Sequence, residues 1–438
     1  MANQGPSPGS ILAQWRSYRQ MHRALLVVFV ICTIFVLDRY RVTLGGTFGV
    51  SGEPRVVEVL EVVDRTPEDL SIEKAANSTL GFHAIYYVNM KARFDREDAM
   101  ALQAYLSGLE IQDYPAVEAD QIDPVGMPPT HRPGVLKTGE RGCWRAHANI
   151  WSEMVRKKLP PVLIMESDAT WDINVRPIMG DLNKNFIKFL NHINSTAVHD
   201  PSYGSKNKLD NKHTPRTDIN TPATSFNSSA NATEPSIVYN PDDPWLSEHW
   251  DLFSLGQCFE HHQDNHIKLV YKDKHVPDRQ INYFGRTLGQ ERVIRKSGGI
   301  TCTTAYAISH TGAAKLLMRS ALDLDNPVDL LIRRLTLSRD LVAYSVMPPV
   351  IAQWEYRNDV GMGERGAQSD INGGKHKDTP EDTKMPGWAN VSESGSVWVT
   401  KAHHRDVAFD KMTLDVAWKE ILGDAVLQKS WFNPETND

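Results

Sequence analysis

The sequence predicts an α/β protein in which helices flank a largely parallel sheet, with a transmembrane helix near the N-terminus. Short apolar runs of strand-forming residues alternate with segments of helical periodicity, and this alternation is typical of strand–helix–strand units. Hydrophobic residues make up 41% of the 438 residues and charged residues 23%, which is typical of a globular protein and excludes wholesale disorder. The net charge of -6 argues against nucleic acid as the main partner.

Strands and helices alternate from about residue 80. Each predicted strand is a short apolar run bounded by polar residues. Each predicted helix repeats its apolar residues three and four positions apart, and a capping residue such as Asp95 or a proline marks its ends. In chain order the predicted elements are strand 83–90, helix 95–109, strand 114–118, helix 143–155, strand 162–165, strand 250–255, strand 303–309, helix 311–322, strand 341–347 and helix 414–422.

The clearest of these elements surround an acidic turn. HAIYYVNM (83–90) and VLIM (162–165) have the composition of buried strands, and the helix between them ends before Pro160-Pro161, because prolines stop helices. WDLFSL (250–255) and TTAYAIS (303–309) repeat the pattern in the second half of the chain. Helices between strands then predict a sheet that is covered on its faces.

An apolar run near the N-terminus, ALLVVFVICTIFVL at 24–37, predicts a membrane helix. It is shorter than the ~20 residues that a bilayer core requires, but flanking Arg side chains can extend to the interface. No small-residue cleavage site follows, which favours an uncleaved signal anchor over a cleaved signal peptide or a buried core helix. Arg16, Arg19 and Arg23 precede the run, so we expect a single-pass type II protein with its body across the membrane.

Possible N-glycosylation sites agree with that topology, although chance accounts for some such triplets. The sequons begin at Asn77, Asn194, Asn227, Asn231 and Asn390. Three of them lie in or beside residues 195–240, whose polar composition predicts a flexible, exposed insertion. Sequons behind a signal anchor fit the lumen of the ER or Golgi. There, Cys143, Cys258 and Cys302 could oxidise with one left unpaired, and the sequence alone leaves the pairing open.

Two carboxylates follow the predicted strand 162–165, at Glu166 and Asp168, and Asp172 comes four residues later. Parallel α/β sheets bind ligands beyond the carboxyl ends of their strands, so both side chains can face one crevice. Carboxylate oxygens suit Mg²⁺ or Mn²⁺ that bridges a substrate diphosphate. The spacing alone leaves open a solvated acidic turn without a ligand.

From about Leu80 to Ile371, the chain resembles glycosyltransferase family 25. The similar segments, in order, are GFHAIYYVNMKARFDREDAM, GERGCWRAHANIW, LIMESDATWD, WDLFSLG, CTTAYAISHTGAAKLL, NPVD, PPVIAQ and Ser369-Asp370-Ile371. The first matches the family's Asn-Leu-x-x-Arg-x-Asp-Arg signature at Asn89, Arg93, Asp95 and Arg96. The second matches its Gly-x-x-Gly-Cys-x-x-Ser/Ala-His helix at Gly139, Gly142, Cys143 and His147. The chain looks closest to the membrane-anchored fungal branch.

The resemblance implies a GT-A-like domain with a mixed sheet of the Rossmann type. Its implied extent is 81–371, with the insertion at 195–240. The remaining divisions are a cytosolic tail at 1–23, the signal anchor at 24–37, a stem at 38–80 and a C-terminal extension at 372–438. The implied reaction moves a hexose, galactose first among the candidates, from a UDP-sugar to a glycan, glycoprotein or glycolipid acceptor with inversion.

The resemblance also implies roles for single residues. Asp168 would bind Mn²⁺ or Mg²⁺ on the donor diphosphate, and Glu166 would bind the nucleotide, the metal or a metal-bound water. Inversion needs a general base, for which Asp329 and Asp370 are candidates, with a helix-capping role as the alternative for Asp329. Nucleotide binding is implied for three residues after the first strand, namely Asn89, Arg93 and Arg96.

One position departs from the family pattern, because Ser167 stands where relatives have the middle acidic residue. The retained Glu166 and Asp168 favour an active enzyme, and the alternative is a catalytically impaired, membrane-anchored carbohydrate-binding or scaffolding relative. The resemblance further implies a Cys258–Cys302 disulfide, since both cysteines flank matched segments and Cys143 lies in the family's cysteine-containing helix. Three free thiols are the alternative.

Overall fold

The structure is a computed structural model that describes residues 65–198, 237–356, 400–402 and 409–423. All of them belong to one folded unit, Asp64–Asp438. The predicted anchor, the insertion and Asp370 lie outside the described residues. Within the described part of the chain, none of the helices combines the length and the apolar character needed to cross a bilayer.

Helices and strands alternate along the described chain. The helices are α1 Pro67–Ala75, α2 Phe94–Ser107, α3 Thr138–Lys157, α4 Val175–His192, α5 His310–Leu322, α6 Val328–Leu337 and α7 Thr413–Leu422. The strands are β1 Ile85–Asn89, β2 Ile111–Pro115, β3 Val162–Glu166, β4 Ala169–Trp171, β5 Leu252–Gly256, β6 Phe259–Glu260, β7 Lys268–Lys272, β8 Ile281–Tyr283, β9 Arg286–Leu288, β10 Glu291–Lys296, β11 Ile300–Thr301, β12 Ala305–Ile308, β13 Ala343–Met347, β14 Ile351–Tyr356 and β15 Thr400–Ala402.

The main sheet has eight strands in the order β2-β1-β3-β12-β5-β13-β10-β7. Strands β2, β1 and β3 are parallel, with Ile85 opposite Ile111 on one side and Leu163 on the other. Strand β12 runs antiparallel to both of its neighbours, β3 and β5, and β10 is antiparallel to β13 and β7. The α/β fold with a mixed sheet is therefore confirmed. The sheet has fewer parallel strand pairs than the alternation predicts. A strand that lies parallel to its neighbour is usually reached through a crossover helix, and the chain enters β12 directly from β11 without one.

Apolar residues fill both sides of the sheet. One core includes Phe186 of α4, whose ring stacks on Phe253 of β5 with the centroids 4.6 Å apart. The other contains Trp151 of α3, Tyr306 of β12 and Leu316 of α5. Helix α4 is absent from the predicted elements, although its buried residues recur at helical spacing in the sequence.

The start of helix α2 and the position of strand β2 differ from the predicted ones. Helix α2 begins at Phe94 and its N-cap is Arg93, which makes no side-chain capping bond. The predicted capping role of Asp95 is therefore wrong. Its carboxylate instead accepts two hydrogen bonds of 2.9 Å from the Arg93 guanidinium, because Asp95 lies inside the first turn. Strand β2 covers 111–115 where 114–118 is predicted.

A small sheet, β15-β14-β4, supports the chain that leaves the acidic turn. Strand β14 is antiparallel to β4, with Gln353 opposite Ala169. The C-terminal segment joins the same place, since Lys411 N donates to Asp172 Oδ2 at 2.7 Å and Thr413 Oγ1 donates to Trp171 O at 2.7 Å. Asp172 is 1% exposed, so the third carboxylate of the acidic stretch serves the packing of this segment.

Candidate active site

The acidic turn lies at the carboxyl edge of the main sheet, between β1 and β12. Glu166 is the last residue of β3, and its N–H donates to Thr304 O at 3.0 Å. The N–H of Ser167 donates to Val88 O at 3.1 Å. These bonds fix the turn at the edge where ligands bind in α/β sheets, which is the position that the sequence pattern predicts for Glu166 and Asp168.

Asp168 is a buried carboxylate, 4% exposed, and its two oxygens have different surroundings. Its Oδ2 accepts a 3.0 Å hydrogen bond from Gln353 Nε2 and lies 3.3 Å from Arg96 Nη1. Its Oδ1 is buried without a hydrogen-bond partner among the described residues. A buried oxygen without a hydrogen bond destabilises the folded protein by about 1–3 kcal/mol or more. This atom is therefore suited to bind a positively charged ligand.

Glu166 is the second carboxylate, and its side chain is 20% exposed. Its Oε1 accepts a 2.6 Å hydrogen bond from Thr303 Oγ1. Burial, and then the negative charge of Asp168, raise the pKa of Glu166 to about 7. At neutral pH the side chain is therefore divided between a neutral acid and a carboxylate.

Buried, hydrogen-bonded polar side chains lie next to Glu166. His147 of α3 is fully buried, and its Nε2 lies 3.9 Å from Glu166 Oε1. Its Nδ1 is 2.8 Å from the Tyr306 hydroxyl, which also accepts a hydrogen bond from Trp151 Nε1 at 3.1 Å. Burial lowers the pKa of His147 to about 4, so the imidazole is neutral at physiological pH.

The predicted nucleotide-binding residues divide between two places. Arg96 lies against Asp168, whereas Arg93 is bound to Asp95. Asn89 is buried at the end of β1, and its Nδ2 donates to Arg93 O at 3.5 Å. The structure thus brings Arg96 to the acidic turn and uses the other two to shape the loop between β1 and α2. The nucleotide-binding role of all three stays a prediction.

Of the predicted general bases, Asp329 lies near the site and Asp370 is outside the described residues. Asp329 is in the first turn of α6, where its Oδ1 accepts from Leu330 N at 2.8 Å and its Oδ2 from Cys302 N at 3.0 Å. Both oxygens are therefore held by backbone N–H groups. Its charge also contributes, after burial and Asp168, to the raised pKa of Glu166.

A disulfide joins Cys258 and Cys302, and Cys143 is free. It connects the exit of β5 to the entrance of β12. The Cys258 sulfur lies 3.9 Å from Gln353 Oε1, and Gln353 in turn binds Asp168. Since Cys302 N donates to Asp329, the disulfide supports both the acidic turn and the start of α6.

Two predicted sequons lie in the described part of the chain. Asn194 follows α4 and is exposed. Asn77 is partly buried, and its Oδ1 accepts hydrogen bonds from Thr79 N at 2.9 Å and Gly81 N at 3.0 Å. Asn227, Asn231 and Asn390 lie outside the described residues. N-glycosylation at all five remains a prediction.

Four residues of this site have no predicted role, namely His147, Thr303, Tyr306 and Gln353. Thr303 and Gln353 reach the acidic turn across 137 and 185 residues of sequence, so only strand pairing places them there. For His147 a signal was present. It lies four residues after Cys143 on a helix, and residues so spaced share one helix face.

Comparisons with known proteins find one family that part of this chain resembles. Residues 82–238 match the family model described as "Glycosyltransferase family 25 (LPS biosynthesis protein)". A glycosyltransferase 25 family member of Drosophila melanogaster is 28% identical over 156 residues, which are 33% of this chain and 24% of the relative. Procollagen galactosyltransferase 2 of Homo sapiens is 26% identical over 131 residues, 26% of this chain and 21% of the relative.

A third relative, procollagen galactosyltransferase 1 of Danio rerio, is 30% identical over 132 residues, 26% of this chain and 22% of the relative. The chain thus spans about a quarter of the length of the curated relatives it matches. The matched region includes β1, the Cys143–His147 helix and the acidic turn. Residues 82–238 of the chain are thus similar to glycosyltransferase family 25, and the curated relatives that match the chain carry glycosyltransferase 25 or procollagen galactosyltransferase names.

Proposed function

We propose that this protein transfers a hexose from a UDP-sugar to a hydroxyl of a glycan, glycoprotein or glycolipid acceptor, with inversion, on a GT-A-like domain. The observation that carries the proposal is Asp168, which is buried at the carboxyl edge of the sheet with Oδ2 anchored and Oδ1 unpartnered among the described residues. Relatives with galactosyltransferase in their names support galactose as the first sugar to test.

The donor set fits a hard divalent cation. Asp168 Oδ1 and the Glu166 carboxylate are oxygen ligands, and oxygen ligands are what Mg²⁺ and Mn²⁺ prefer. The two carboxylates also repel each other, and after burial this repulsion contributes to the raised pKa of Glu166. A bound cation would supply charge neutralisation for the departing UDP.

The residues around the two carboxylates have positioning roles in this proposal. Gln353 and Arg96 hold Asp168 Oδ2, which aims the free Oδ1 into the site. Thr303 fixes Glu166 Oε1 in the same way. Fixed ligands of this kind need no reorganisation when the donor binds, and this preorganisation is the main source of electrostatic catalysis.

Two carboxylates, Asp370 and Asp329, are the proposed general bases. Both oxygens of Asp329 accept backbone N–H groups, so it would have to release one of them to take a proton from an acceptor hydroxyl. Asp370 carries the role in our working proposal, with Asp329 as the second position to test.

We also propose a type II membrane protein of the Golgi or ER, with the catalytic domain in the lumen. The apolar run at 24–37 and the preceding Arg residues support this topology. The Cys258–Cys302 disulfide supports it independently, because structural disulfides persist in oxidising compartments.

The experiment is a donor panel on the full chain, purified in detergent. Transfer and hydrolysis of UDP-galactose, UDP-glucose and other UDP-sugars are measured with Mn²⁺, with Mg²⁺ and with chelator, and NMR of the product gives the anomer. We expect one metal-dependent donor and an inverted product. Asp168→Asn should lower turnover on the order of 10²-fold or more, whereas the exposed matched control Asp181→Asn should leave it unchanged.

Two outcomes would contradict the proposal. Full turnover in Asp168→Asn would remove this carboxylate from the mechanism. Saturable glycan binding without turnover of any donor would instead favour the catalytically impaired carbohydrate-binding relative, with Ser167 as its signature.

A further inference from the structure

A free thiol, an imidazole and a carboxylate converge beside the acidic turn. Cys143 Sγ, one ring nitrogen of His147 and one oxygen of Glu166 lie within 4.8 Å of one another. Cys143 and His147 are one turn apart on α3, so they present their side chains on one face of the helix. Glu166, at the end of β3, closes the third side.

The imidazole at the centre of this group is buried and lacks a partner on one side. His147 is fully buried, and its Nε2 has no hydrogen bond among the described residues. Its other nitrogen, Nδ1, is held by the Tyr306 hydroxyl at 2.8 Å. A hydroxyl can either donate or accept, so Nδ1 can carry the ring proton and leave the Nε2 lone pair directed at Glu166 and Cys143. Histidines that bind metals are oriented through their second nitrogen in this way.

We propose that Cys143, His147 and Glu166 form a binding site for a thiophilic divalent cation of the zinc class, next to the carboxylate of Asp168. Three atoms within 4.8 Å of one another lie at most about 2.8 Å from a common centre. Zinc bonds are ~2.3 Å to sulfur and ~2.0–2.2 Å to nitrogen and oxygen, so each side chain needs to move inward by less than about 1 Å.

The composition of the group selects the cation. Thiolate and imidazole favour zinc-like ions over Mg²⁺ and Ca²⁺, which prefer oxygen ligands. Three protein ligands with an open fourth position are typical of zinc sites that exchange a water or a substrate atom. Arg96 lies 3.3 Å from the neighbouring carboxylate of Asp168.

The charges around the thiol favour the same conclusion. The carboxylates of Glu166, Asp329 and Asp168 all lie close enough to the thiol to act on it electrostatically. A thiol binds a metal as its thiolate, so the thiol proton passes to solvent when the cation binds. A divalent charge would relieve the repulsion among the three carboxylates.

The proposed site has a consequence for activity that rests on the proposed function. Glu166 belongs both to this group and to the donor site. A zinc-class ion that recruits Glu166 would withdraw it from the nucleotide, so zinc should inhibit a transfer reaction that Mn²⁺ or Mg²⁺ supports.

Cobalt spectroscopy tests the binding site without any measurement of activity. The full chain, kept non-reduced so that the Cys258–Cys302 disulfide persists, is titrated with Co²⁺ and then with Zn²⁺. We expect one equivalent of Co²⁺ to give a near-ultraviolet thiolate-to-cobalt charge-transfer band, and one equivalent of Zn²⁺ to abolish it. Absence of the band in the wild-type protein would overturn the proposal.

Variants identify the ligands. Cys143→Ser should abolish the charge-transfer band, whereas the control Cys32→Ser, at the cysteine of the apolar run 24–37, should keep it. Tyr306→Phe, which removes the partner of His147 Nδ1, should weaken Co²⁺ binding about 10–100-fold while the band remains. A band that survives in Cys143→Ser, with thermal melting showing that this variant is folded, would refute the assignment.

Asp168→Asn separates this proposal from the proposed function. We expect this variant to lose transfer yet to keep the cobalt band, since Asp168 is not one of the three ligands. Loss of the band in Asp168→Asn would show that the cation binds at the donor site instead and would overturn the proposed zinc-class site.

Discussion

Replacing Glu166 by Gln is expected to stabilise the folded protein at neutral and alkaline pH. Burial, and then the charge of Asp168, raise the pKa of Glu166 from 4.5 to about 7. Between these values the folded protein keeps a proton that the unfolded chain has lost, so the free energy of unfolding falls as the pH rises. Since one pKa unit corresponds to about 1.4 kcal/mol, the charged form costs roughly 3 kcal/mol above the folded-state pKa.

Glutamine removes this cost while keeping the local geometry. Its amide oxygen can still accept the hydrogen bond from Thr303 Oγ1. We expect wild type and Glu166→Gln to have similar free energies of unfolding near pH 4.5 and below. At about pH 8 the variant should be more stable by roughly 3 kcal/mol. Urea unfolding of the full chain in detergent and chelator, followed by tryptophan fluorescence at several pH values, measures the difference.

Glu153→Gln is the matched control, because Glu153 is also a glutamate whose carboxylate is bonded within the protein. Hydrogen bonds from Lys157 and then Tyr114 lower the pKa of Glu153 against the opposing effect of burial. Its contribution to stability is therefore present above the unfolded pKa and is lost as the pH falls, so this variant should be destabilised at neutral pH. A stability difference for Glu166→Gln that is independent of pH, or a loss of stability at pH 8, would refute the reasoning.

Two further perturbations test the surroundings of the site. Replacing Cys258 and Cys302 by Ser opens a loop that spans 44 residues, so the free energy of unfolding should fall by ~4 kcal/mol in urea titrations; no change would mean that the disulfide adds nothing. Asp325 is a fully buried carboxylate between α5 and α6 that binds guanidinium groups. Against the effect of burial, hydrogen bonds from Asn326 and then Arg319 lower its pKa to about 2. Asp325→Asn should lower the free energy of unfolding by about 3–5 kcal/mol at neutral pH, and this difference should become smaller only below about pH 4. An unchanged thermal melting temperature would contradict this.

The periodicity of the sequence predicts the elements around the acidic turn, because periodicity is a local property, but helices α1, α4 and α6 and strands β7 and β10 are absent from the predicted elements. Strand β3 and the turn at Glu166 follow from an apolar run that ends in carboxylates, and β1 follows from HAIYYVNM. The position of β12 does not follow. Its place between β3 and β5, antiparallel to both, depends on which strand edges pair in three dimensions.

The same division holds within the site. Asp168 and Glu166 can be predicted because they are adjacent in sequence at a strand end. Their partners cannot, since Thr303, which lies just before β12, and Gln353 of β14 are brought there by long-range strand pairing. The difference between the two carboxylates, one anchored by Gln353 and one with a raised pKa, depends on burial and on neighbouring charges that no local pattern contains.

By itself, the sequence determined that this chain alternates strands with helices, that an acidic pair ends a central strand, and that its motifs resemble those of a glycosyltransferase family. Only the tertiary structure decided that a thiol and an imidazole from α3 meet that acidic pair, and that one oxygen of Asp168 is left without a partner in the described part of the protein. The reason is physical. Local order is set by the nearest side chains, whereas a site's charge, burial and ligand set are set by elements that are remote in sequence and adjacent only after the sheet forms.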